Sequence, residues 1–274
     1  MRFSPTPDME PVAPTAPIAP WLGGKRRLAE RIILRLSQVP HTTYVEPFVG
    51  MGGVFLRRPW RAKAEVINDI SQDVTNLFRI LRWHYEAFMD VLKWQLTTRL
   101  DFERLKASPP DTLTDLHRAA RFLYLQRTAF GGKVDGQNFG VSPGTPGRFD
   151  VTKLASTLEA VHERLAGVVI ECLPWEKLLA RYDRPATFFY LDPPYWGNET
   201  DYGEGLFGRM QFEHLADALA NLQGGWLLSL NDVPGVRRCF TRFQIDAVET
   251  SYSIAGGNRQ PGKVGEVLIS PRAD

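Results

Sequence analysis

The chain has 274 residues, 43% of them hydrophobic, the make-up of a globular protein that can bury a core, which excludes a fibrous or mostly disordered one. A formal charge of +2 and a pI near 8.5 do not demand a nucleic-acid partner, yet they are compatible with a local basic face. Two cysteines in apolar sequence surroundings, Cys172 and Cys239, exclude a disulfide or zinc framework and read as buried small hydrophobes. No apolar run approaches the ~20 residues of a membrane span, and the N-terminus lacks the apolar segment of a signal peptide, so a reducing cytoplasm is the expected location.

Six prolines between Pro5 and Pro20, with almost no large apolar residues among them, predict a flexible proline-rich lead-in over residues 1–20 that stands outside the fold. Structure is expected to begin at Trp21-Leu22-Gly23-Gly24-Lys25, a glycine turn feeding a helix with Leu28, Ile32, Ile33 and Leu36 on one face. Lys25 at a helix start is poorly suited to the dipole there; it reads either as a solvated lysine or as a residue kept for another reason. Thr42–Phe48 reads as a strand entering the glycine turn Val49-Gly50-Met51-Gly52-Gly53, a unit that can cradle a nucleotide because glycines let the backbone approach a ligand. The full three-glycine dinucleotide pattern is not met. The next strand, Ala64–Asn68, ends at Asp69, where such folds accept hydrogen bonds from ribose hydroxyls; the alternative is a cap on the following helix.

From about Trp83 to Leu165 the strand-helix alternation lapses into amphipathic helices and a glycine-rich polar loop, Gly131 to Gly144. Arg118, Arg121, Arg127, Lys133 and Arg148, interleaved with Tyr124, Phe130 and Phe139, suit phosphates and bases, or else form a solvated face over core aromatics. Alternation resumes with Val168–Cys172 and then Thr187-Phe188-Phe189-Tyr190-Leu191, a run with the character of a buried central strand. Pro193 and Pro194 stop the ladder, leaving Asp192 and Tyr195 at its carboxyl end, where open α/β sheets place their ligands. A glycine-rich loop, Gly197 to Gly208, a helix through Leu215 and Leu219, and a strand Trp226–Leu230 ending at Asn231-Asp232 follow. Two closing strands, Phe243–Val248 and Glu266–Ile269, flank a polar loop at Gly256-Gly257-Asn258-Arg259 and suit an antiparallel pair.

Trp21-x-Gly-Gly-Lys25, Val45-Glu-Pro-Phe-Val-Gly-Met-Gly52, Asn68-Asp69, Asp192-Pro-Pro-Tyr195 and Ser229-Leu-Asn-Asp232, in this order, give the chain its resemblance to the Dam-like class of DNA adenine (N6) methyltransferases. The resemblance implies a three-layer α/β fold of the Rossmann-like methyltransferase type, with a mostly parallel seven-stranded sheet and an antiparallel C-terminal hairpin. It divides the chain into a catalytic domain, residues 21–82 and 166–274, and an inserted helical target-recognition domain, residues 83–165.

The same resemblance implies S-adenosylmethionine as cofactor, with Trp21, Lys25, Glu46, Phe48, Gly50, Gly52, Asp69 and Asp192 around it. Lys25 suits the cofactor's carboxylate, Glu46 its ammonium group and Asp69 its ribose. Asp192 and the carbonyl of Pro193 are expected to accept both hydrogens of the adenine amino group, a poor nucleophile, while Tyr195 offers a face to the flipped-out ring. Double-stranded DNA is the implied partner, with no membrane; a restriction endonuclease is a compatible second partner, and the oligomeric state and recognition sequence stay open. The insertion resembles the family only in outline, with Arg127, Lys133, Gln137 and Asn138 as candidates for DNA contact. The cytosine amino group, a protein glutamine, or a DNA-binding relative without activity are alternatives at this stage; Asp192, where the first two usually show Ser or Asn, favours adenine.

Overall fold

A computed structural model describes residues 9–134, 136–141, 144–198, 207–250 and 264–272. Seven strands form one sheet: β1 (Thr43–Glu46), β2 (Ala64–Asn68), β3 (Val169–Glu171), β4 (Thr187–Leu191), β5 (Gly225–Asn231), β6 (Gln244–Thr250) and β7 (Val264–Ser270). Their spatial order is β3-β2-β1-β4-β5-β7-β6. The first five are parallel, and β7 runs antiparallel to both of its neighbours, as the closing pair of apolar runs predicts. The helices are α1 (Ala29–Leu36), α2 (Gln72–Trp83), α3 (Tyr85–Leu92), α4 (Arg99–Ala107), α5 (Asp115–Thr128), α6 (Val151–Arg164), α7 (Trp175–Tyr182), α8 (Arg209–Ala220) and α9 (Pro234–Cys239).

Alternation along the strands decides the layering, because successive side chains point to opposite faces. On β4, Phe188 and Tyr190 enter a hydrophobic cluster with α1, α2, α5 and α6, whereas Phe189 and Leu191 enter a second one with α7, α8 and α9. Both faces of the central strand are therefore covered, which explains why all five of its residues are buried. The segment between α2 and β3 contains helices and, among the described residues, no strand; its apolar faces share one continuous cluster with the sheet. Among the described residues no helix is long and apolar enough to cross a membrane.

Two expectations need correction. Residues 9–20 are not a free lead-in. Glu10–Pro11 pairs antiparallel with Trp60–Arg61, the amides of Val12 and Thr15 donate to Pro59 and Leu56, and Ile18 is fully buried. Prolines prevent a helix, but an extended chain still has carbonyls, intervening amides and a few apolar anchors with which to dock. Cys172 is exposed rather than buried, at the end of a peripheral strand; Cys239 is half-buried, and burial pushes its thiol up to about 11. The polar loop at Gly256–Arg259 lies outside the described residues, as does most of the loop between Gly197 and Gly208.

The edge of the sheet away from the strand ends is held by charge. Glu65, near the start of β2, is buried and accepts from Arg58 at 2.8 Å and from both terminal nitrogens of Arg164 at 2.5 and 2.9 Å. Arg164 closes α6, so this cluster fastens the exit of the helical segment to the sheet; its guanidinium also lies 4.0 Å from the Phe55 ring centroid. Glu65→Ala leaves two buried guanidinium groups without their carboxylate, and a loss of about 3–5 kcal/mol is expected in urea unfolding. A loss under about 1 kcal/mol would show that both arginines find water instead.

Candidate active site

The last residues of β2, β1, β4 and β5 (Asn68, Glu46, Leu191 and Asn231) lie along one edge because these strands are parallel neighbours. After β1 the chain adds β2 and β3 on one side, then returns to place β4 on the other. Such a switch in direction opens a crevice between the strand ends.

Asp192 follows β4 directly. Its Oδ1 lies 2.7 Å from Nζ of Lys25 and accepts the Ser229 hydroxyl of β5 at 2.9 Å; Ser229 is in turn 2.9 Å from the Tyr190 hydroxyl. Lys25 is buried, and Nζ also donates to the Gly23 carbonyl at 2.9 Å and the Tyr195 hydroxyl at 2.8 Å, lying 4.6 Å from the Tyr195 ring centroid. An ammonium group has three hydrogens, and three acceptors surround this one. Burial pushes the Asp192 carboxyl above the usual range, against the pull of Lys25 and Ser229. The sequence places Lys25 on the cofactor's carboxylate; in the structure its Nζ meets Asp192 and Tyr195, and its distance from the helix dipole is explained because α1 starts four residues later.

Glu46 closes β1, buried, with its Oε2 accepting the Tyr44 hydroxyl at 2.7 Å. Burial pushes its carboxyl up to about 8, Tyr44 and Arg58 oppose the shift, and the neighbouring Asp192 adds to it. Asp69 turns back on the glycine turn: Oδ2 accepts the Gly50 amide and Oδ1 the Ser71 amide, each at 2.9 Å, and burial pushes this carboxyl up to about 6. Ser71, not Asp69, caps α2. Gly50 has φ of 48°, and a Cβ there would stand 2.4 Å from Nε1 of Trp21, so the indole lies directly on the turn. Phe48 meets Phe207 edge-on at 6.0 Å. Gly52, with φ of 73°, packs on Leu56.

Of the DNA-contact candidates, the structure brings together two at the surface and turns two inward. Lys133 and Asn138 are exposed on a loop closed by the Ala129–Phe139 bridge and by the Phe130 amide on the Asn138 carbonyl. Gln137 is buried and donates to the Lys133 carbonyl at 2.9 Å, while Arg127 donates to the Ile18 carbonyl at 2.6 Å. The polar character of Gln137 serves the loop's own backbone, and the charge of Arg127 anchors the N-terminal segment. Asp135, Ser142 and Pro143 of this loop lie outside the described residues.

Ser229, Tyr190 and Asn231 are supporting residues to which the sequence attaches no definite role. Asn231 accepts the Trp196 amide at 3.0 Å and donates to the Trp196 carbonyl at 2.9 Å, clamping the chain just past Tyr195, whereas Asp232 turns away to a bidentate pair with Arg237. The available signal is a hydroxyl or amide inside an otherwise apolar strand, because a buried polar group needs a partner.

Residues 21–254 match the family described as D12 class N6 adenine-specific DNA methyltransferase. The type II methyltransferase M.CviBI of Paramecium bursaria Chlorella virus NC1A is 23% identical over 256 residues, covering 92% of this chain and 95% of that protein. The DNA adenine methylase of Haemophilus influenzae is 26% identical over 277 residues, covering 95% of each. One from Vibrio cholerae serotype O1 is 26% identical over 269 residues, covering 90% of this chain and 93% of that protein. The match favours adenine over the cytosine and glutamine alternatives, and the intact Asp192 constellation is not that of a relative that has lost its chemistry. The chain belongs to the D12 class of N6 adenine-specific DNA methyltransferases.

Proposed function

We propose that the crevice holds S-adenosylmethionine against Trp21, Glu46, Phe48, Gly50 and Asp69, and a flipped-out adenine of double-stranded DNA against Asp192, Pro193 and Tyr195. The observation that carries this reading is Asp192 at the end of the central strand, fixed through Oδ1 by Lys25 and Ser229 and lying in the field of Glu46. The residues suit the cofactor: a buried carboxylate for an ammonium group, an indole over a glycine turn, and an acidic side chain whose oxygens have lone pairs beyond those engaged by Gly50 and Ser71. When bound, S-adenosylmethionine supplies a methyl group activated on a sulfonium.

With Oδ1 engaged, Oδ2 of Asp192 and the Pro193 carbonyl are the acceptors for the two amino hydrogens, drawing the nitrogen's lone pair out of the adenine ring. Lys25 favours the ionised form of Asp192 against the effect of burial, holds it in place, and positions the Tyr195 ring through its hydroxyl. Stacking on an aromatic face offsets part of the cost of leaving the duplex. The helical segment, residues 83–165, serves as target-recognition domain in this reading, with Lys133 and Asn138 directed at DNA.

Asp192→Ala removes the acceptor but also strands the buried Lys25, so the informative variant is Asp192→Asn, which keeps an oxygen for Lys25 and Ser229 and places amide hydrogens toward the adenine amino group. A fall in kcat of at least about a hundredfold is expected with the fold retained by circular dichroism; near-normal turnover would sink the mechanism.

Cofactor affinity should depend on pH in a stated direction. The folded values of about 6 for Asp69 and about 8 for Glu46 exceed the ordinary 3.8 and 4.5. The ionised carboxylates are the better partners for an ammonium group and for hydroxyls. Affinity for S-adenosylhomocysteine, read by calorimetry, should rise between about pH 6 and pH 8, with proton release in the upper half that Glu46→Gln removes. The unliganded fold shows the opposite sign: it holds protons that the unfolded chain has released, so its stability falls as pH rises from the ordinary carboxyl values toward 8. Affinity that falls with pH over this range counts against both assignments. Replacing Lys133 and Asn138 together with Ala should weaken DNA binding and relax sequence preference at one or two base pairs, checked by sequencing methylated sites; an unchanged site pattern removes the loop from recognition.

A further inference from the structure

The fully buried Gln126 of α5 joins two regions to which the proposed function gives different substrates. Its Nε2 donates to the Pro20 carbonyl at 2.8 Å and to the Gly132 carbonyl at 2.7 Å, while its Oε1 lies 3.4 Å from Nε2 of Gln137. Pro20 precedes Trp21, whose indole covers the Gly50 turn; Gly132 precedes Lys133 at the head of the exposed loop. The two backbones also touch. A Cβ on Gly132 (φ of 68°) would stand 3.0 Å from Cβ of Pro20 and 3.3 Å from the Trp21 amide nitrogen. Phe122, one turn earlier on α5, meets the Trp21 ring edge-on at 6.4 Å, and Arg127, the next residue, holds the Ile18 carbonyl.

A side-chain amide has two hydrogens on nitrogen and can satisfy two carbonyls at once. Both carbonyls here are backbone groups of irregular segments, which have no ladder to satisfy them. One side chain therefore fixes the distance between the entry to Trp21 and the entry to Lys133. A movement of the loop as it engages DNA is transmitted to the Trp21 segment through a hydrogen bond on each side of one nitrogen, with no mobile solvent between.

We infer that Gln126 is a positioning residue that links the loop carrying Lys133 and Asn138 to the cofactor-facing Trp21 segment, so that DNA engagement and cofactor affinity are coupled through it. This rests on the assignment of Trp21 to the cofactor and of the loop to DNA. Linkage is reciprocal: whatever factor DNA applies to cofactor affinity, cofactor applies to DNA affinity.

The test is calorimetric titration of the full chain with S-adenosylhomocysteine, alone and in the presence of a DNA duplex that the wild-type enzyme methylates, for wild type, Gln126→Met and Gly132→Ala. Gln126→Met conserves volume and removes both donors; Gly132→Ala presses on the same junction from the loop and touches no cofactor-facing residue other than through Pro20 and Trp21. Expected are a change in wild-type affinity on adding DNA, a roughly tenfold weaker DNA-free affinity in Gln126→Met with the DNA effect reduced to within about twofold of unity, and a severalfold weakening in Gly132→Ala. A merely structural role lowers the fraction of protein that binds, seen as stoichiometry, and leaves the dissociation constant of that fraction unchanged. Wild-type affinity in Gln126→Met, a DNA effect that survives there in full, a wild type indifferent to DNA, or, should Gln126→Met not fold, unchanged affinity in Gly132→Ala each overturns the inference. Wild-type protein that binds no S-adenosylhomocysteine while methylating nothing overturns the proposed function itself, a result distinct from all of these.

Discussion

A buried ammonium and a carboxylate in contact at the carboxyl edge of the sheet, Lys25 and Asp192, set the condition that the surrounding structure meets. Removing such a pair from water is costly unless further hydrogen bonds complete it, and here they come from four directions: the Gly23 carbonyl, the Tyr195 hydroxyl, the Ser229 hydroxyl and, behind Ser229, Tyr190. Each lies on a different piece of chain: the N-terminal glycine turn, the loop after β4, β5 and β4. The pair can exist only when these are assembled, so the contact between Lys25 and Asp192 is a property of the tertiary structure and not of the Asp-Pro-Pro-Tyr stretch alone.

The sheet supplies that assembly by its strand order. Placing β1 and β4 side by side brings Glu46 and Asp192 into each other's field, while β2 beyond β1 carries Asp69 under the glycine turn and β5 beyond β4 carries Ser229 and Asn231. Carboxyl groups gathered at one edge repel one another if all are ionised in a dry site, and here Asp192 faces both Glu46 and the buried Glu266. The structure separates their fates. Asp192 has a cation against it, Asp69 has two backbone amides, and Glu46, with a tyrosine hydroxyl and the more distant Arg58 opposing the shift, is pushed by burial up to about 8. A carboxyl left in that condition is suited to a cationic ligand that brings its own compensating charge.

Much of this was legible in the residues. The seven strands and most of the helices covering them follow from apolar periodicity, and the order of short motifs pointed to the ends of β1, β2 and β4. What periodicity does not carry is pairing between distant polar groups. Lys25 is 167 positions before Asp192, and nothing in its neighbourhood says that its charge turns back onto a strand end rather than toward a ligand. Gln137 and Asn138 look alike as loop amides, yet one is buried against the loop's backbone and the other is exposed. The docking of residues 9–20 was hidden for a related reason: composition counts prolines, whereas an extended segment is fixed by where Met9, Val12 and Ile18 fall and by carbonyls that Gln126 and Arg127 can reach.

That last point bears on how the helical segment is attached. It shares a hydrophobic cluster with the sheet, but hydrophobic contact is non-directional and does not by itself fix orientation. Directional contacts tie it at several points, among them Arg118 of α5 to Asp73 of α2 and Asn76 of α2 to the Asp115 carbonyl of α5. At its exit, Arg164 meets Glu65 at the start of β2; toward its loop, Gln126 and Arg127 hold the backbone that leads into Trp21. The Arg164 anchor lies near the beginning of a strand, at the edge remote from Asp192, and the Gln126 anchor beside the Gly50 turn that Trp21 covers. The Gln126 anchor ties the loop's entry directly to the Trp21 segment, which is the arrangement expected if what binds at the loop and what binds at the turn are to sense each other.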